Sequence, residues 1–288
     1  MRYCVTVPNF GPGVDVRLLA GWAADAEAAG WDGFFLWDHV LPWDPGSIDV
    51  VDPWMALAVA ADRTSRIRLG TLVTPLPRRR PLKLARETVT LDRLSGGRAV
   101  LGVGMGGFPY EWDFLGEEPD LPTRGRMLDE HLELLDRLWS GEPVEHRGEH
   151  YRVAGTTEQP FSVAIDPPPV QRPRIPVWVA GTWPGRRPFR RAARWDGVVP
   201  MRADGPWTVA DTRDVHAAVA AHRAPGAGPF DLVVPGESDP GGAVAAAAPH
   251  AEAGGTWWQE NVIPWRYGWS AGQPLPEARM HERVLAGP

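Results

Sequence analysis

A (β/α)8 barrel is the fold this sequence predicts, and three observations predict it. Short apolar segments alternate with amphipathic helical patterns along the chain, giving eight strand–helix pairs. The length, 288 residues, suits an architecture that takes roughly 250. Hydrophobic residues make up 43%, enough for a sizeable core. A doubly wound open sheet is the alternative arrangement of the same elements.

The elements follow in order. YCVTV at 3–7 is a β-rich run. Asp15 caps a helix with Leu18, Leu19, Trp22, Ala23 and Ala26 on one face, and Gly30 stops it. GFFLW at 33–37 is the second strand. Asp52 and Pro53 stand in the cap-then-proline order that opens a helix, here running to about Thr64. IRLGTLV at 67–73 is the third strand, and the helix from Pro81 to Leu94 closes at Ser95, Gly96 and Gly97. RAVLGVG at 98–104 is the fourth. After a loop, Leu128, Leu132, Leu135 and Trp139 mark the stripe of a long helix closed by Gly141.

Residues 142–174 break the rhythm with short β-like pieces (VEHRGEHYRV) and a Pro-rich run. They read as an irregular insertion between strands four and five of a single domain, 1–288. The rhythm resumes with PVWVA at 176–180, a helix holding Ala192 and Ala193, and WDGVVP at 195–200. A helix from Thr208 to about His222, FDLVV at 230–234 and an Ala-rich helix at 241–253 follow. GGTWWQ at 254–259 and a helix at 275–285 end the pattern.

Composition narrows the function. The net charge is -6 and no basic face is visible, which argues against a nucleic-acid partner. The densest basic run, Arg78-Arg79-Arg80, reads as a solvated charge run or an interface edge. Cys4 is the only cysteine, so neither an internal disulfide nor a cysteine metal cluster can form. The start, MRYCVTVPNF, reads as a strand rather than a signal peptide, and no window of 18 apolar residues occurs. A soluble, cytoplasmic protein with no membrane partner and no metal is expected. Fifteen tryptophans serve mostly as core, and some can line a pocket for a flat ligand.

A barrel places functional residues at the C-terminal ends of its strands. Asp38 and His39 end strand two. An imidazole there can act as acid or base. The plainer reading has Asp38 capping backbone amides and His39 filling space. Neighbours in an extended segment point opposite ways, so the two need not touch. GVGMGG at 102–107 fits a Gly-x-Gly-x-x-Gly string, but FPYEWDFLGEEPDLP follows it and reads as loop. A dinucleotide turn needs a helix there. The glycines instead let a flat ligand approach the backbone, or form a plain turn. GTLVTP at 70–75 offers a ligand only backbone and apolar groups. In AGTWPGRR, 180–187, Thr182, loop amides and a helix start can hold an anion, or Pro184 simply shapes a turn.

Rival barrel chemistries lack residues. A metal hydrolase needs converging His, Asp and Glu ligands, whereas strand one ends in Thr6, Val7, Pro8 and Asn9. A glycosidase needs two flanking carboxylates, and only Glu111 and Glu237 offer themselves. A mouth rich in Gly and Trp and short of fixed charge suits a cofactor that brings its own redox chemistry.

Taken together, DHVLPW (38–43), DPW (52–54), RIRLGTLVTPLPRRRP, LARETVTLDRLSGGRAVLGVGMGG, IPVWVAGTWP and RRAARWDGVVP resemble the luciferase-like superfamily of flavin- and deazaflavin-dependent oxidoreductases. The resemblance runs from strand one to ARMHERVLAGP and is strongest over 31–107. It implies a luciferase-like (β/α)8 TIM barrel, often dimeric, with a flavin-type ring across its mouth. Some members use FMN, reduced by a partner reductase, as monooxygenases. Others use coenzyme F420 for hydride transfer.

The Asp-His-x-x-Pro-Trp pattern looks like the deazaflavin branch. That implies His39 as acid/base, Trp43 stabilising the reacting centre and Asp38 contacting the cofactor. A cis peptide at Leu72–Val73 would back the ring. Gly104, Met105, Gly106 and Gly107 would hold it, and the amides near Gly181, Thr182 and Trp183 would take its phosphate. Sugar-phosphate dehydrogenases of this branch carry Glu where this chain has Gly107. Glu111, four residues on, is the candidate replacement. Lys83 is the only lysine, which argues against a sugar phosphate and for an apolar or aromatic small molecule. The expectation is an F420-dependent oxidoreductase. The alternatives are an FMN-dependent monooxygenase and a barrel that binds a flavin-like ligand without turnover.

Overall fold

Eight parallel strands close on themselves, and helices wrap the outside. The computed structural model describes residues 1–41, 49–154, 163–270 and 273–288. The first three repeats are β1 (Arg2–Val7) with α1 (Val16–Ala28), β2 (Gly33–Leu36) with α2 (Pro53–Arg63), and β3 (Arg68–Pro75) with α3 (Pro81–Leu94). Next comes β4 (Ala99–Gly104), followed by α4 (Pro109–Leu115) and α5 (Leu121–Trp139). The excursion holds β5 (His146–Arg147) and β6 (Arg152–Val153), paired antiparallel; its residues 155–162 lie outside the described set. The barrel resumes with β7 (Val177–Trp183) and α6 (Arg186–Ala192), β8 (Gly197–Arg202) and α7 (Val209–Ala220). It ends with β9 (Asp231–Gly236) and α8 (Ala243–Glu252), then β10 (Trp257–Asn261) and α9 (Glu277–Leu285).

Around the barrel the order is β1-β10-β9-β8-β7-β4-β3-β2, which excludes the open sheet. The cap expectations hold in detail. The Asp15 carboxylate accepts from the Leu18 amide and that of Asp52 from Met55, satisfying donors the first helical turn leaves free.

One stretch departs from expectation. The segment after GVGMGG is not loop-like: α4 forms there, with Pro109 in its first turn and Gly116 ending it at φ 65°. Seven residues are too few to display a helical period. The Gly-rich string still lacks the dinucleotide geometry, because β4 already contains Gly102 and Gly104.

Two apolar layers result. Each of the eight barrel strands contributes to the barrel filling, through residues such as Cys4, Phe35, Val100, Trp178, Val233 and Trp257. Outside the sheet, Trp22, Trp54, Leu84, Leu132 and Trp139 pack the helices on. Closure at β10 relies on a polar network. Glu260, fully buried, accepts from the amide and hydroxyl of Ser238, the Trp258 indole, Arg266 and Arg283. Burial would raise its carboxyl, but the Trp258, Ser238 and Arg266 hydrogen bonds and the Arg283 charge hold it below the usual range. This knot ties α9 and the segment after β10 to the barrel. Glu260→Ala takes the carboxylate from the buried Arg283 and loosens the hold on Arg266, and is expected to cost roughly 3–5 kcal/mol, read as a lower urea midpoint.

Candidate active site

At the C-terminal mouth the strands enclose a cavity of ≈ 570 Å³, within the range of small-molecule sites. Leu72, Val73, Pro75 and Val199 supply apolar wall. Gly104, Met105, Gly106 and Gly107 edge it from β4, and Gly181 and Thr182 from β7. Asp38, His39 and Glu111 reach it from β2 and α4. The Leu72–Val73 peptide is cis, and the β3–β4 register shifts between Thr71 and Thr74, around that bond. Trp183 ends β7 and packs edge-on to Phe189 rather than lining the cavity. Trp43 lies outside the described residues.

Asp38 and His39 meet different partners. The Asp38 carboxylate, buried, accepts from the Thr74 hydroxyl at 2.7 Å and from Arg79. The His39 imidazole instead stacks on Phe108, with ring centroids 4.5 Å apart. Its Nδ1 lies 3.1 Å from a carboxylate oxygen of Glu111. The other oxygen of Glu111 accepts from the amides of Val40 (2.9 Å) and Leu41 (3.1 Å). Arg78 stands 3.4 Å away. Burial alone would raise the Glu111 carboxyl. The His39 hydrogen bond and charge, the Leu41 amide and the Arg78 cation outweigh it and pull it down to about 2. An ionised carboxylate only accepts, so it fixes the imidazole as the Nδ1–H form and leaves Nε2 available.

Arg78 and Arg79 are therefore not a solvated run. Their side chains are 5% and 19% exposed and serve Glu111, Glu117 and Asp38. Charge runs look solvated in sequence because their partners lie elsewhere: Glu111 is 33 residues beyond Arg78, on α4. Asn9 was passed over as well. Fully buried at the end of β1, it donates to the His39 carbonyl (2.8 Å) and accepts from the His39 amide (3.1 Å). Its only signal was a polar residue at a strand end. Glu237, the other carboxylate of the glycosidase alternative, lies 3.9 Å from Arg266 and does not line the cavity.

The wall fits a flat ring. A Cβ on Gly104 would lie 2.8 Å from Val73, so nothing larger than glycine leaves that face smooth. Gly106 has φ +83°, and a Cβ there would fall 2.2 Å from the Trp112 ring. Trp112 is itself clamped between the guanidinium groups of Arg78 (4.5 Å) and Arg124 (4.1 Å). Gly107 faces open space.

Fold and site together define a (β/α)8 barrel with a broad apolar cavity and a histidine–carboxylate pair at its rim. The chain belongs to the luciferase-like monooxygenase family, whose model matches residues 3–247. Among curated relatives, an F420-dependent glucose-6-phosphate dehydrogenase of Nakamurella multipartita is 34% identical over 73% of this chain and 58% of its own length. The oxygenase component of a flavin-dependent trigonelline monooxygenase from Acinetobacter baylyi is 32% identical over 48% of this chain and 36% of its own. The chain thus spans about half the length of the curated relatives it matches, or less. In fold, it is similar to an F420-dependent secondary alcohol dehydrogenase solved with an F420-acetone adduct (TM-score 0.75, 15% identity, 99% of this chain and 97% of that one).

The lowered Glu111 carboxyl makes a pH prediction. A folded-state value below the unfolded one adds stability above about pH 4.5 that is lost as pH falls toward about 2. The stability gap between wild type and Glu111→Gln should therefore shrink between pH 6 and pH 3, measured by urea unfolding at each pH.

Proposed function

We propose that this protein is an oxidoreductase that binds a deazaflavin, coenzyme F420, across the cavity and transfers hydride to or from a neutral, apolar or aromatic small molecule. One observation carries the reading: a single imidazole, backed by an ionised carboxylate, stands at the rim of an otherwise apolar, glycine-edged cavity. The 34% identity to F420-dependent dehydrogenases supports the choice of cofactor. When bound, such a cofactor supplies or accepts the hydride. The protein's own part is to hold and time. Leu72, Val73, Gly104, Met105, Gly106 and Gly107 form the face for the ring, and Asp38 lies at its edge. Gly181, Thr182 and the amide near Trp183 are placed for its phosphate. His39 Nε2 takes or returns the substrate's proton. Glu111 orients that imidazole rather than donating a proton itself, since a carboxyl at about 2 holds none near neutral pH.

The substrate class rests on the lining. Among the described residues no lysine or arginine lines the cavity, so a sugar phosphate would lack its counter-charge. The likeness to the trigonelline monooxygenase component supports a second reading, FMN-dependent oxygenation with a partner reductase. A homodimer belongs to either reading, and light scattering giving the mass of one chain would end that part.

Fluorescence titration with F420 and, separately, FMN tests the cofactor: micromolar binding of F420 and not of FMN is expected. Oxygen consumption driven by reduced FMN would move the protein to the second reading. His39→Ala should keep cofactor affinity and lower turnover by about 10²–10⁴-fold. If turnover survives, His39 is not the acid/base, and binding with no redox reaction for any substrate would mark a binding barrel.

A further inference from the structure

One wall of the cavity holds a polar group that nothing above uses. Along β10, Trp257 and Gln259 turn into the barrel, while Trp258 and Glu260 turn out toward the helices. Gln259 lines the cavity and is 8% exposed. Its amide nitrogen donates to the Asn261 side chain at 2.8 Å. Its amide oxygen is buried and has no partner. On the adjacent strand Thr6, in register with Asn261, is fully buried and its hydroxyl also lacks a partner. Buried polar atoms are nearly always paired, so an orphaned acceptor on a residue that lines a cavity is a candidate partner for a ligand's donor.

Position decides which ligand. β10 stands four places from β4 in the ring of eight strands, directly across the barrel. With the cofactor ring placed against Leu72, Val73 and Gly104, Gln259 lines the opposite side of the cavity, where a substrate would lie. We infer that the Gln259 amide oxygen is a substrate subsite, accepting a hydrogen bond from a neutral donor group such as a hydroxyl. The inference rests on the cofactor placement proposed above. It selects substrates that are apolar in body and carry one uncharged donor. A donor on the cofactor ring has the same chemistry, and the test separates the two.

The protein is first titrated with F420, then with cyclohexanol or its donorless analogue methoxycyclohexane, by cofactor fluorescence. Wild type, Gln259→Met and Gln259→Asn are compared, the last keeping the amide but drawing it back by one methylene. Wild type should prefer the alcohol by about fivefold to tenfold, the worth of one hydrogen bond. Both variants should lose that preference and keep their F420 affinity. Equal affinity of wild type for alcohol and ether, failure of either to bind, or a preference that survives in Gln259→Met overturns the subsite. F420 affinity that falls in both variants, with no alcohol preference in wild type, moves the donor to the cofactor and overturns the substrate assignment. Failure of wild type to bind F420 at all sinks the cofactor reading and this inference with it, a result distinct from the others.

Discussion

The carboxylate of Glu111 is the constraint on which the mouth of the barrel depends. One side chain on α4 accepts from two amides and an imidazole after β2 and faces a cation after β3. A group held ionised in that way has no proton to give, so every partner must be a donor. The tautomer of His39 follows, and so does the path of the chain through Val40 and Leu41. Arg78 then couples this knot to the glycine loop. It lies over the Trp112 ring, and that ring occupies the space that only a glycine at 106 leaves open. The imidazole and the glycine-edged wall of the cavity therefore share one support.

Asp38 belongs to a second, separate clamp. Thr74 and Arg79 take its two oxygens, while Asn9 pins the backbone of the next residue, His39, from β1. Two adjacent arginines thus hold two site carboxylates that lie 73 positions apart. Such an arrangement fixes side chains before a ligand arrives, which lowers the ordering cost of binding. The Arg79–Asp38 pair is buried on the acid's side, and the hydroxyl of Thr74 helps to offset its desolvation.

How much of this was readable from the residues depended on range. The barrel was, because each strand, cap and stop is written within about ten residues: Asp15 and Asp52 cap as their positions require. That the exits of β2, β3, β4 and β7 meet at one mouth was readable too, because a parallel barrel brings those ends together, and residues from all four line the cavity. The partnerships were not. His39 and Glu111 are 72 residues apart, and nothing local to either tells which polar group it meets. Arg78 looked solvated for the same reason. α4 was missed for a different one, since its seven residues display no period and its only local marks are Pro109 and Gly116.

Family membership speaks unevenly for the two sides of the cavity. The family match ends at residue 247, so β3, β4 and β7 lie within it and β10 lies beyond. The wall of Leu72, Val73 and Gly104 is therefore the part that the family model covers, while the wall bearing Gln259 and Asn261 lies outside it. Gly107 edges the wall that the family model covers. A side chain there would find open room, yet the carboxylate that attends His39 comes from behind it, on α4. An acid in that place holds the imidazole and itself lines the cavity. Among the described residues the cavity has an apolar lining with no lysine or arginine. The two walls thus stand on different strands, the first within the family model and the second beyond it.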